Sequence, residues 1–81
     1  MMGMFDMADR YQVAHRWVKQ ALQYRDTWRG GADCYWLAKL VEEVGELAVA
    51  IVGIHEHTVE HELDQIGSIC MNWLVHRKER R

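Results

Sequence analysis

The run from Trp36 to Ile51, WLAKLVEEVGELAVAI, constrains this chain more than any other stretch. Wound at about 100° per residue, it places Leu37, Leu40, Val41, Val44, Leu47, Ala48 and Ile51 on one continuous apolar face. A helix with such a face has to bury it. Glu43 and Glu46 do not lie opposite that face, where solvating acids belong, but along its flank with Lys39 and Ala50. Glu42 points almost directly away. Two acids one turn apart on the border of a buried seam are placed to look into a cleft between packed helices.

The rest of the chain supplies the neighbours. Apolar residues recur at helical spacing from about residue 5 to 28, where Gly30 and Gly31 offer a left-handed cap. The central run extends to a helix over about 34–52, with Asp33 as its N-cap and Gly53 as its stop. Thr58, followed by Glu60 and Glu62, opens a third helix over about 59–78. The fold class is therefore all-α: one domain over residues 1–81, with the second and third helices joined as an antiparallel hairpin. A chain of 81 residues buries only about 60% of its unfolded surface. At 49% apolar residues, with four Trp, it carries more apolar surface than one small core hides. A homodimer or homotetramer, with hairpins paired into a four-helix-bundle core, is the expected assembly.

On the third helix the apolar face reads Val59, Leu63, Ile66, Ile69, Cys70, Trp73 and Leu74. Glu62 falls within roughly 40° of its centre, which is costly for a charge without a partner or a metal. Gln65 lies on the flank, and Asp64 is expected to face water. The hairpin then brings Glu43 and Glu46 towards Glu62 and Gln65. Converging oxygen donors at a partly open site suit Mg²⁺, which keeps several waters and is commonly shared with phosphates. The competing arrangement pairs Glu43 and Glu46 with Lys39 or an arginine of the first helix, leaving Glu62 half exposed.

The run KLVEEVGELAVAI, followed by HELDQIGSICMNWL, resembles the MazG-like members of the all-α nucleoside triphosphate pyrophosphohydrolase superfamily, whose signature is ExxE on one helix and ExxD on the next. Glu43-Val44-Gly45-Glu46-Leu47 matches the ExxEL core. The second motif fits in two registers. Aligning Asp64 with the family aspartate puts His61 in the glutamate position; aligning the apolar residues makes Glu62 the glutamate and Gln65 the replacement for the aspartate. Helical phase favours the second. The resemblance implies Mg²⁺-dependent conversion of an NTP or dNTP to its monophosphate and pyrophosphate. Glu43, Glu46 and Glu62 would be the catalytic metal-binding acids, with Gln65 as a fourth, uncharged ligand. It leaves a second possibility: a non-catalytic helical module that binds nucleotides or partner chains.

The remaining features narrow the field. A formal charge of −2 gives no electrostatic reason to bind nucleic acid or an anionic membrane. No secretory start or long apolar run is present, and Cys34 and Cys70 form no CxxC, so a soluble cytoplasmic protein with free thiols is expected. His55, His57 and His61 crowd the second connection without the HExxH order of a zinc site. Trp36 and Lys39 share the flank of Glu43 and are the candidates for substrate binding. A plainer role for Lys39 is a salt bridge to Glu43, four residues on.

Overall fold

In the computed structural model, the structure describes residues 4–24, 32–53 and 57–79, with side chains from residue 7 onwards. Among these residues the chain forms three helices and no strand: α1 (Met4–Tyr24), α2 (Asp33–Ile51) and α3 (Val59–Glu79). The boundaries follow the sequence closely; residues 25–31, where the double-glycine cap was expected, lie outside the described part. Gly53 ends α2 as anticipated, adopting φ 80° while its N–H returns to the Ala50 carbonyl at 3.0 Å. Thr58 caps α3, its Oγ1 accepting the His61 N–H at 3.1 Å.

Asp33 departs from expectation. Ala32 occupies the N-cap position without a side-chain bond, and Asp33 is the first helical residue. Its carboxylate instead accepts the Trp73 Nε1–H at 2.9 Å and pairs with Arg77, tying the start of α2 to the end of α3. That cross-link fixes α2 antiparallel to α3. The α1 contacts run the other way. Arg16 and Trp17 meet Asp64, Gln20 meets Ser68, and the Ala21 carbonyl accepts from Asn72, so α1 lies parallel to α3. Both outer helices pack on α3, and α1 and α2 share no close backbone approach among the described residues. The spatial order is α1, α3, α2, a single layer with the last helix in the middle.

The central position of α3 explains its composition. Its α2-facing side carries Glu62, Ile66, Ile69 and Trp73, and Ile69 closes with Trp36 into the small core, flanked by Tyr24, Tyr35, Leu40 and Trp73. The α1-facing side is small and polar. The Trp17 indole lies over Gly67, where any Cβ would overlap the ring. Ser68 is fully buried, with its hydroxyl 2.8 Å from Gln20 Oε1 and 2.9 Å from the Asp64 carbonyl. Asp64, expected in water, is half-buried on this side. It accepts both Arg16 Nε–H and Trp17 Nε1–H, at 3.1 and 2.9 Å. A wheel drawn for one buried face cannot place Asp64 correctly, because α3 has two.

The expected burial of the α2 apolar face is also corrected. Leu40 and Leu47 are half-buried, whereas Leu37, Val41, Val44 and Ile51 are exposed. The face that meets α3 is rotated and runs through Trp36, Leu40, Glu43, Leu47 and Ala50, at helical spacing. Equivalent stripes remain open elsewhere: Met7, Tyr11, Val18 and Leu22 on α1, Leu63 and Leu74 on α3. Each stripe stands roughly 110° round its helix from the seam, at about 100° per residue. With α1 parallel and α2 antiparallel to α3, that rotation brings all three stripes out on the same side of the layer.

Candidate metal centre

The acids of α2 and α3 meet on the seam. Glu43 and Glu46 are half-buried, one turn apart on α2, and Glu62 is buried on α3, only 1% exposed. One carboxylate oxygen from each lies within 4.8 Å of the other two. The convergence follows from local sequence. Glu43 falls two turns after Trp36 on the α3-facing side, and Glu62 two turns before Ile69, so the Trp36–Ile69 contact sets the level at which they meet. Lys39 lies against Glu42 at 4.0 Å instead of Glu43, and Arg16 is held by Asp64.

Three crowded carboxylates cannot all ionise at little cost. Burial, hydrogen bonds with Glu62 and Glu46, and the charges of both push the Glu43 carboxyl up to about 8. At neutral pH this site therefore retains a proton between its oxygens, in the position where a cation would relieve the same repulsion. Gln65, one turn after Glu62, adds an amide Oε1 that is buried without a hydrogen-bond partner among the described residues. An acceptor left bare inside a protein costs about 1–3 kcal/mol.

The donor set fits Mg²⁺ in kind: four oxygens, hard and mostly anionic, with no sulfur or imidazole. It fits nearly in size. Ligands at about 2.1 Å from one ion stand roughly 3.0 Å apart in cis and 4.2 Å in trans, so side-chain rotations of about an ångström close the present spread.

The substrate-binding candidates fare differently. Lys39, half-buried on the flank of α2, stays beside the acids, on the side of the layer away from the apolar stripes. Trp36 is a core residue, 1% exposed and edge-on to Tyr35 at 5.4 Å, so it is not the rim of an open cleft. Farther along the seam, Trp36 Nε1 and His76 Nε2 are both buried without hydrogen-bond partners among the described residues, their rings 5.8 Å apart. Nothing in the sequence pattern pointed to that pair. Cys34 is exposed and Cys70 half-buried, both free thiols. His57 and His61 stack at 4.3 Å, and among the described residues they gather no third metal-ligating side chain.

Asp64 is the polar residue the sequence misplaced. Desolvation pushes its carboxyl up, but hydrogen bonds from Arg16 and Trp17 and the Arg16 charge outweigh that and hold it below its ordinary value. It serves the α1–α3 joint and stands apart from the acids on the other side of α3. Among the described residues no helix is long and apolar enough to cross a membrane. Compared with family models, curated proteins and solved structures, the chain matches none.

Proposed function

We propose that this chain is a Mg²⁺-dependent nucleoside triphosphate pyrophosphohydrolase, taking an NTP or dNTP and water to the monophosphate and pyrophosphate. The observation that carries the reading is the meeting of Glu43, Glu46 and Glu62 within 4.8 Å across two helices, with the unsatisfied Gln65 oxygen one turn after Glu62 on α3. Glu43, Glu46 and Glu62 would hold the ion, with Gln65 completing the protein's share through its amide. The ion would supply charge neutralisation at the phosphates and a more acidic bound water. Glu43, protonated without a cation, would release its proton to solvent on holding one. Lys39 stands at the flank to meet a phosphate, in place of its present exposed pairing with Glu42.

Gln65 also favours a second reading. An amide brings no negative charge, so the site holds its cation less tightly than four carboxylates would, which suits a non-catalytic module that binds nucleotides or partner chains. One experiment separates the two. The protein is incubated with a panel of NTPs and dNTPs plus Mg²⁺, and pyrophosphate is measured. Release that vanishes in Glu46→Gln and rises in Gln65→Asp supports the hydrolase; no release from any substrate, with cation binding intact by calorimetry, gives the site to the module. Absence of cation binding altogether removes both metal-based readings.

A further inference from the structure

The joint on the other side of α3 carries a groove of a different chemistry. Between α1 and α3 a cavity of about 230 Å³ opens to solvent, lined by Arg16, Lys19, Gln20, Gln23, His61 and Asp64. Pockets that enclose a small organic molecule run from about 300 to 1,000 Å³, so this one is too small to hold a nucleotide. Water takes about 30 Å³ per molecule in the liquid, which leaves room here for a small polyatomic ion and part of its hydration shell. Two permanent cations stand in the groove against one anion, in a chain whose formal charge is −2. Lys19 has no partner among the described residues. Arg16 gives Nε and Nη2 to Asp64, which leaves Nη1 to donate elsewhere. Gln20 Oε1 is engaged by the Ser68 hydroxyl at 2.8 Å, so its amide nitrogen is the end left for the groove. Ammonium, guanidinium and amide N–H groups converging from one side are the chemistry of an oxyanion site.

Asp64 decides which oxyanion. Its Oδ1 accepts Trp17 Nε1–H at 2.9 Å and Arg16 Nη2–H at 3.1 Å, and its Oδ2 accepts Arg16 Nε–H at 3.1 Å. A carboxylate has about four acceptor positions, so one on Oδ2 remains. An anion without a proton meets only repulsion there, whereas one that carries an O–H can donate to it. Sulfate carries none near neutral pH, and a phosphate monoester loses its last proton with a pKa of about 6. Orthophosphate, as hydrogenphosphate, keeps one. We propose that this groove binds inorganic orthophosphate, with Arg16, Lys19, His61 and the Gln20 and Gln23 amides donating to its oxygens and its own O–H donating to Asp64 Oδ2. The bound ion bridges α1 and α3 and braces their joint. The site shares no residue with Glu43, Glu46, Glu62 or Gln65, so it stands apart from whatever those bind.

The test is titration of the metal-free protein at about pH 8, where monoesters are fully ionised, and at constant ionic strength. Binding is followed by the Trp17 indole N–H signal in proton–nitrogen NMR spectra, because that N–H rests on Asp64. Orthophosphate is expected to move the signal saturably and to raise the melting midpoint. Sulfate and adenosine monophosphate are expected to bind about 10–100-fold more weakly, the worth of one hydrogen bond to a charged group. Lys19 is exposed and unpaired, so Lys19→Gln spares the fold and should weaken phosphate at least about 10-fold. Lys78→Gln removes the same charge in the last turn of α3 and should change the affinity less than about 2-fold. A signal that orthophosphate does not move saturably overturns the proposal. So does equal binding of sulfate or adenosine monophosphate, which would mean a general attraction of anions to cations. Phosphate binding untouched by Lys19→Gln, or weakened as much by Lys78→Gln, overturns it as well.

Discussion

Raising the pH of the cation-free protein from about 5.5 to about 8.5 should destabilise it, and Glu43 is the reason. Its carboxyl holds a proton up to about 8 in the folded chain, against an ordinary value of 4.5. Between those values the folded state binds more protons than the unfolded one, so stability falls as pH rises; the favourable contribution is complete below 4.5 and lost above about 8. At 1.36 kcal/mol per pH unit, a fully enclosed group would account for about 5 kcal/mol. Glu43 is only half-buried, and solvent screening reduces this to about 1–2 kcal/mol. For a domain of this size that corresponds to a fall in Tm of roughly 5–10 °C. The assay is a series of thermal melts followed by circular dichroism, at fixed protein concentration, in a chelating buffer. Mg²⁺ competes with the proton, so its addition should raise the midpoint more at the alkaline end and flatten the profile. At ten times its dissociation constant the ion adds about 1.4 kcal/mol. Glu43→Gln should be flat with or without the cation. A chelated midpoint that is constant or rises across the window would refute the reasoning, as would an unchanged fall in Glu43→Gln.

Other substitutions test the remaining joints. Glu62→Gln removes a charge from the crowded site and should stabilise the cation-free protein by about 1–2 kcal/mol while abolishing its response to Mg²⁺, both read from the same melts. Asp64 behaves in the opposite sense to Glu43. Its carboxyl is held below 3.8, so the stability it contributes is present above that value and lost as the pH falls through its folded value; Asp64→Asn should erase this acid-side loss. Gly67→Ala sets a methyl group against the Trp17 ring and should cost about 1–3 kcal/mol despite alanine's better helix propensity, with a shift in tryptophan fluorescence as α1 is displaced.

Much of this architecture was legible in the chain. The three helices, the stop at Gly53 and the start at Thr58 follow from spacing and cap chemistry, and the phase that separated Glu62 from Asp64 also placed Glu62 opposite Glu43 and Glu46. What escaped was the second buried side of α3. Hydropathy marks a helix face only when that face is apolar, and the α1 joint is built from Asp64, Gly67, Ser68 and Asn72, small or polar residues that such a pattern leaves silent. Their spacing of three, four and eight positions was the available signal. The α2 stripe misled for a related reason. A continuous apolar face says that something must cover it, not which molecule does, and within one chain Trp36 and Leu40 claimed the inner position. The acids thus came out closer to the interior than their flanking place on the wheel implied.

Because α3 sits between two helices that precede it in sequence, the order of synthesis is the reverse of the order of dependence. When α1 and α2 have left the ribosome, neither has found the surface it rests on, and in proteins most helical stability comes from such packing. Of the three helices, the one made last is the keystone. A fragment stopping at residue 53 should therefore be largely coil by circular dichroism, with lasting structure in α1 and α2 gained only once α3 has emerged.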